Sequence, residues 1–139
     1  MLVFDTSAYI NGQRDHLPPV TFPSVWELIG RALADGRIVL TREVYRELTV
    51  YDDDLAAWIN VHQAAVVEPT EEVQRDAGRI LAEFPGSGAR NAADPFIVAE
   101  ALVRRLAVVT YEGRTFSGVP HARWHRSMPG VCQHFGVDC

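Results

Sequence analysis

The sequence predicts a three-layer α/β fold, a parallel sheet sandwiched between helices, and two observations carry that prediction. First, Leu2-Val3-Phe4, Ile38-Val39-Leu40 and Ala107-Val108-Val109-Thr110 are short unbroken apolar runs, the pattern of strands buried on both faces. Second, the segments between them place apolar residues at helical spacing. Buried strands that alternate with helices pair in parallel and take helices on both sides, the doubly wound class.

Each element follows in order. Leu2-Val3-Phe4 is the first strand and ends in a polar loop, Asp5-Thr6-Ser7. Pro18, Pro19 and Pro23 punctuate the next stretch. Val25, Trp26, Leu28, Ile29, Ala32 and Leu33 then trace the inner face of a helix that Asp35-Gly36 closes. After the second strand, Thr41 offers an N-cap for a helix with Val44, Leu48 and Tyr51 on one face. Asp52 to His62 reads as a further helix with Leu55, Trp58 and Ile59 inward, and Val66-Val67 as a short strand. Thr70 caps a helix carrying Val73, Ala77, Ile80, Leu81 and Phe84, which Pro85-Gly86 ends. Asp94-Pro95 opens another with Ile97, Val98, Ala101 and Leu102 inward, leading into the last strand.

With 139 residues, 47% of them hydrophobic, the chain suits a single domain over residues 1–139 whose core needs no staples. No basic segment with an apolar run and cleavage site opens it, and no apolar stretch approaches the roughly 20 residues of a membrane span, so a cytoplasmic protein without membrane contact is expected. Cys132 and Cys139 are the only cysteines and read as free structural thiols. The formal charge of −5 argues against binding nucleic acid through a basic tail. Every basic residue other than histidine is arginine, however, and Arg104, Arg105, Arg114, Arg123 and Arg126 gather beside His121 and His125. That cluster serves either as a phosphate-facing surface or as a solvated one.

In doubly wound sheets, sites form outside the carboxyl ends of the strands. Asp5 follows the first strand directly and Glu112 follows the last after one residue. Glu47 stands beside Leu48 near the buried face of its helix, where a carboxylate needs an arginine, a boundary position or a metal ion. Glu43, in the first turn, suits the helix dipole. Asp94 before Pro95 is an ordinary helix cap, a role compatible with offering its second oxygen to a ligand. Acids that converge raise one another's pKa values unless a divalent cation neutralises them, and an all-carboxylate set suits Mg²⁺ or Mn²⁺.

Taken in order, Val3-Phe4-Asp5-Thr6-Ser7, Glu47-Leu48, Ala93-Asp94-Pro95-Phe96-Ile97-Val98-Ala99 and Val108-Val109-Thr110-Tyr111-Glu112 resemble the PIN-domain superfamily from Leu2 to about Phe116. The stretch Phe22-Pro23-Ser24-Val25-Trp26-Glu27-Leu28 and the ending Pro129 to Cys139 are similar to a PIN-like bacterial and archaeal family of uncharacterised proteins related to the VapC toxins. The resemblance implies a PIN-like three-layer sheet and a Mg²⁺- or Mn²⁺-dependent ribonuclease. It further implies the toxin of a type II toxin–antitoxin pair, acting on RNA and held by an antitoxin protein. Asp5, Glu47, Asp94 and Glu112 then stand at the four acidic positions, catalytic and metal-holding. Glu112 replaces the Asp that many members carry, so its carboxylate lies one methylene further out. Thr6 or Ser7 falls where a hydroxyl supports the first Asp, and Asn91 where an amide supports the site. Two copies of the chain associating through the helices near Trp26 or Trp58 would make a homodimer.

The expected chemistry is hydrolysis of an RNA phosphodiester by water whose pKa one or two cations lower. Asp5 and Asp94 hold the principal ion, Glu47 orients the water and Glu112 assists. A haloacid-dehalogenase-type phosphatase also begins with a strand running into Asp, but expects a second Asp where Ser7 stands and a later Lys that this chain lacks. The alternative from another class is a non-catalytic PIN-like module that binds protein or RNA.

Overall fold

The computed structural model describes residues 1–50, 53–84, 94–112 and 127–139, with the side chain of Asp94 left aside. Tyr51, Asp52, Pro85-Gly86, Asn91, Arg114, His121, Arg123, His125 and Arg126, all named above, lie outside the described residues.

Four parallel strands, β1 (Leu2–Phe4), β2 (Ile38–Thr41), β3 (Val66–Val67) and β4 (Ala107–Val109), form one sheet in the order β3-β2-β1-β4. Val3 pairs with Val39 on one side and Val108 on the other, so β1 is an interior strand. Its Val3 is fully buried, and Val39 and Val108 nearly so, which is why these strands read as unbroken apolar runs. The chain steps outward from β1 to β3 and then returns across the sheet to β4. Right-handed crossovers place the helices of the outward steps on one face and those of the return on the other. The described helices accordingly flank the sheet in three layers.

The outward steps carry α1 (Thr6–Asn11), a π-helical turn (Gly12–His16), α2 (Pro23–Ala34), α3 (Arg42–Leu48) and α4 (Asp54–Val61). The return carries α5 (Glu71–Glu83) and α6 (Asp94–Arg104), and α7 (Met128–Phe135) follows β4 and packs on α6. The caps are chemical: Thr41, Asp53, Thr70 and Ser127 each accept a backbone amide from the first turn of α3, α4, α5 and α7. Each such cap contributes about 1 kcal/mol. Pro23 takes the first turn of α2, where its missing N–H costs nothing.

Helix faces follow the sequence pattern with two exceptions. Val73, Ala77 and Ile80 of α5 and Ile97, Val98 and Ala101 of α6 are buried, but Leu81 and Leu28, read as inward, are exposed. Both flank the buried stripe rather than lie on it. The other corrections concern boundaries. Asp5-Thr6-Ser7 is not a loop, since α1 begins at Thr6 immediately after β1. Thr110 lies one residue beyond β4, and α4 begins at Asp54.

Trp26 and Trp58 meet edge to face at 4.9 Å, and the His62 ring packs tilted against Trp58 at 4.6 Å. They line a groove of about 630 Å³ between α2 and α4, away from Asp5, Glu47 and Glu112. Cys132 is buried and Cys139 exposed. Among the described residues no helix is long and apolar enough to cross a membrane.

Candidate active site

The return of the chain to β4 makes the β1–β4 border a point where strand order reverses, the place where doubly wound sheets open a crevice. Asp5 leaves β1 at this border with extended backbone (φ −69°, ψ 154°) and hands the chain straight into α1. Its amide donates to the Val109 carbonyl at 2.9 Å, so the β1–β4 pairing runs on past the last strand residue. The side chain is trapped between the two strand ends and is only 4% exposed.

Two hydroxyls hold it. Ser7 Oγ donates to Asp5 Oδ2 at 2.5 Å and Thr110 Oγ1 donates to the same oxygen at 2.9 Å. Each hydroxyl in turn accepts a backbone amide, Ser7 Oγ from Tyr111 and Thr110 Oγ1 from Glu112, both at 3.1 Å. A hydroxyl that accepts an N–H is a stronger donor, so these relays polarise toward the carboxylate. Since both protons point at Asp5, the 3.1 Å approach of Ser7 Oγ to Thr110 Oγ1 is a consequence of the shared acceptor rather than a further bond.

Glu112 is half-buried beside this group. Its Oε2 accepts the Met128 amide at 2.5 Å, at the first turn of α7, which ties the C-terminal helix to the strand end. Burial raises its carboxyl pKa above the ordinary range, the Met128 bond opposes that shift, and the charge of Asp5 adds to it. The effect of Asp5 means that the two carboxylates share one field. Glu47 lies at the boundary of α3, half-buried, and its Oε2 accepts from Thr6 Oγ1 at 2.5 Å. Thr6 adjoins Asp5, so the first turn of α1 supports both acids, Ser7 toward Asp5 and Thr6 toward Glu47.

Asp94 opens α6, which runs back along the sheet and turns directly into β4. At 11 residues α6 is roughly 16 Å long, so its first turn lies toward the carboxyl ends of the strands, the end that holds Asp5. Nothing further is described of the Asp94 side chain, and Asn91 lies outside the described residues. Among the described residues no three His, Cys, Asp or Glu side chains gather as a metal-holding group.

Sequence reasoning missed Thr110 as a site residue and missed two other buried carboxylates. Glu43, read as a dipole partner, is buried; its Oε1 accepts from Arg42 Nε at 3.0 Å and Nη2 at 2.8 Å, while its Oε2 has no hydrogen-bond partner. Glu100 is 1% exposed and its Oε2 lies 2.5 Å from Arg104 Nε. The contrast with Asp5 is chemical. Both of these glutamates are neutralised by an arginine of their own helix, whereas among the described residues the partners of Asp5 are neutral hydroxyls, with a second carboxylate nearby. An all-oxygen, carboxylate-rich set is the donor chemistry of a hard divalent cation, so Asp5 and Glu112 fit one in kind.

The family model described as Domain of unknown function (DUF4411) matches residues 2–139. The chain belongs to that family. No curated protein and no solved structure matches it.

Proposed function

We propose that this chain is a divalent-cation-dependent endoribonuclease of PIN type that hydrolyses RNA phosphodiester bonds at the carboxyl ends of β1 and β4. The observation that carries the reading is the buried Asp5, held among the described residues by two hydroxyls at the border where strand order reverses. A bound Mg²⁺ or Mn²⁺ would supply two things there: a lowered pKa for the attacking water, and neutralisation of charge on the phosphodiester. Asp5 and Asp94 would hold the ion, with Glu112 completing or assisting the set. Ser7 and Thr110 fix the Asp5 carboxylate without cancelling its charge, and Thr6 fixes Glu47 for orienting water. The resemblance to VapC-like proteins adds the toxin role, a cytoplasmic setting, an antitoxin protein as partner, and pairing of two copies through α2 and α4.

The alternative is a non-catalytic module that binds protein or RNA. Calorimetric titration of Mn²⁺ into the wild type and Asp94→Asn separates the two. Saturable binding that the substitution removes supports the nuclease. No binding by folded wild type, with or without RNA, leaves the module.

A further inference from the structure

Beside the carboxylates lies a feature that hydrolysis does not use. His16, in the π-helical turn after α1, and Tyr111, just past β4, stack with ring centroids 4.5 Å apart and planes 4° from parallel. Neither ring is core: Tyr111 keeps 42% of its surface exposed and His16 is exposed. Apolar burial therefore explains little of why two rings from distant parts of the chain lie face to face. The placement of Tyr111 is fixed by the acid site. The Tyr111 amide donates to Ser7 Oγ, which donates to Asp5, and Tyr111 stands between Thr110 and Glu112, about 3.8 Å along the chain from each. Arg14, exposed in the same turn as His16, adds a cation, its guanidinium shared with Asp15 at the surface.

We propose that the His16–Tyr111 stack is a platform for one unpaired nucleobase of a single-stranded RNA, and that it sets which phosphodiester meets the carboxylates. This rests on the nuclease reading of the same site. A flat exposed aromatic pair offers a π-face that every base can cover, whereas a duplex keeps its base faces inside the stack. Successive stacked nucleotides rise roughly 3.4 Å, so a base on the platform brings a phosphate of its own or the next nucleotide to Asp5 and Glu112. The platform selects single strands, loops and ends, and favours the larger purine face.

The test keeps binding apart from cleavage. Fluorescence anisotropy of the full chain in excess EDTA measures affinity for labelled oligoadenylate, oligouridylate and an abasic oligomer of equal phosphate number. Expected are tighter binding of oligoadenylate, a loss of roughly five- to a hundredfold in Tyr111→Ala and His16→Ala, and retention in Tyr111→Trp. The abasic oligomer should bind weakly and alike in all four proteins. Tyr111 reaches Ser7 through its main chain, so the alanine substitution leaves the bonds to Asp5 in place, and circular dichroism checks the fold. Unchanged oligoadenylate affinity in folded Tyr111→Ala, or no RNA binding by the wild type, overturns the platform. Mn²⁺-dependent cleavage is scored separately. Base-dependent binding without cleavage sinks the nuclease and keeps the platform, and cleavage with base-independent binding does the reverse.

Discussion

Replacing Thr110 by Val tests whether the hydroxyl relay holds Asp5, because it exchanges one hydroxyl for a methyl at nearly constant volume. The lost bond is 2.9 Å long and ends on a carboxylate that is 4% exposed, so water has little access to replace it. A hydrogen bond to a charged group contributes about 1.5–3 kcal/mol, and the Glu112 amide also loses its acceptor. That amide is only partly buried and recovers some of its loss from water, so a total of about 2–3 kcal/mol is expected. For a chain of this size the corresponding fall in melting temperature is roughly 6–15 °C. Urea denaturation in EDTA gives the free energy directly. The decisive comparison is a double-mutant cycle with Asp5→Asn, which keeps an acceptor but removes the charge. The Thr110→Val penalty should then shrink by about 1 kcal/mol, well outside the additivity of independent sites. A single-variant cost below about 0.5 kcal/mol, or strict additivity with Asp5→Asn, would refute the relay as the support of the carboxylate.

Two further predictions use the neighbouring acids. Burial and the charge of Asp5 raise the Glu112 carboxyl, so folding disfavours its ionised form: the fold is best served below the ordinary value of 4.5 and loses stability as pH rises through the raised one. Glu112→Gln, which retains an acceptor for the Met128 amide, should therefore match wild-type stability in acid and exceed it at neutral pH in EDTA. Melting curves across pH that run parallel for the two proteins would contradict this. Arg104→Ala leaves the carboxylate of Glu100 buried and unpaired; because Arg104 itself is about a third exposed, the cost should be about 2–3 kcal/mol rather than that of a fully buried pair. Adding Glu100→Gln should restore part of it, and chemical denaturation showing no loss in Arg104→Ala would remove the pair as a structural element.

Strands and acids were legible in the sequence for different reasons. Strands β1, β2 and β4 are unbroken apolar runs with buried centres, so their composition alone marks them, and even Val66-Val67 stands out as an apolar pair before Glu68-Pro69. Asp5 is legible because a carboxylate immediately after a buried strand has one place to go. Thr110 was absorbed into its strand because its role depends on a partner 105 residues away, brought near only by the β1–β4 register. Glu43 reads equally well as a dipole partner or a buried ion, and only the packing of α3 decides between them. Leu28 and Leu81 fit a helical stripe by spacing but fall at its edge, where a shift of one residue separates core from solvent. The His16–Tyr111 stack has no local signal, since its two rings come from a turn and a strand end.

Among the described residues Asp5 is held by hydroxyls, an arrangement that suits the proposed cation site. An arginine against a buried carboxylate stabilises it as an ion pair and cancels its field, which is the arrangement at Glu100. Hydroxyls also satisfy lone pairs, here those of Asp5 Oδ2, and fix the rotamer, but they leave the charge in place. That charge costs stability, and Glu112 bears part of the cost in its raised carboxyl pKa. On the proposed reading, a bound cation would offset that cost. The anchoring of Glu112 to the first amide of α7 carries the same logic to the end of the chain: helix α7 holds the second carboxylate in position near the first while donating only a neutral N–H. Among the described residues, positioning without neutralisation separates this pair of acids from Glu43 and Glu100, and it is a physical criterion that position in the sequence does not supply.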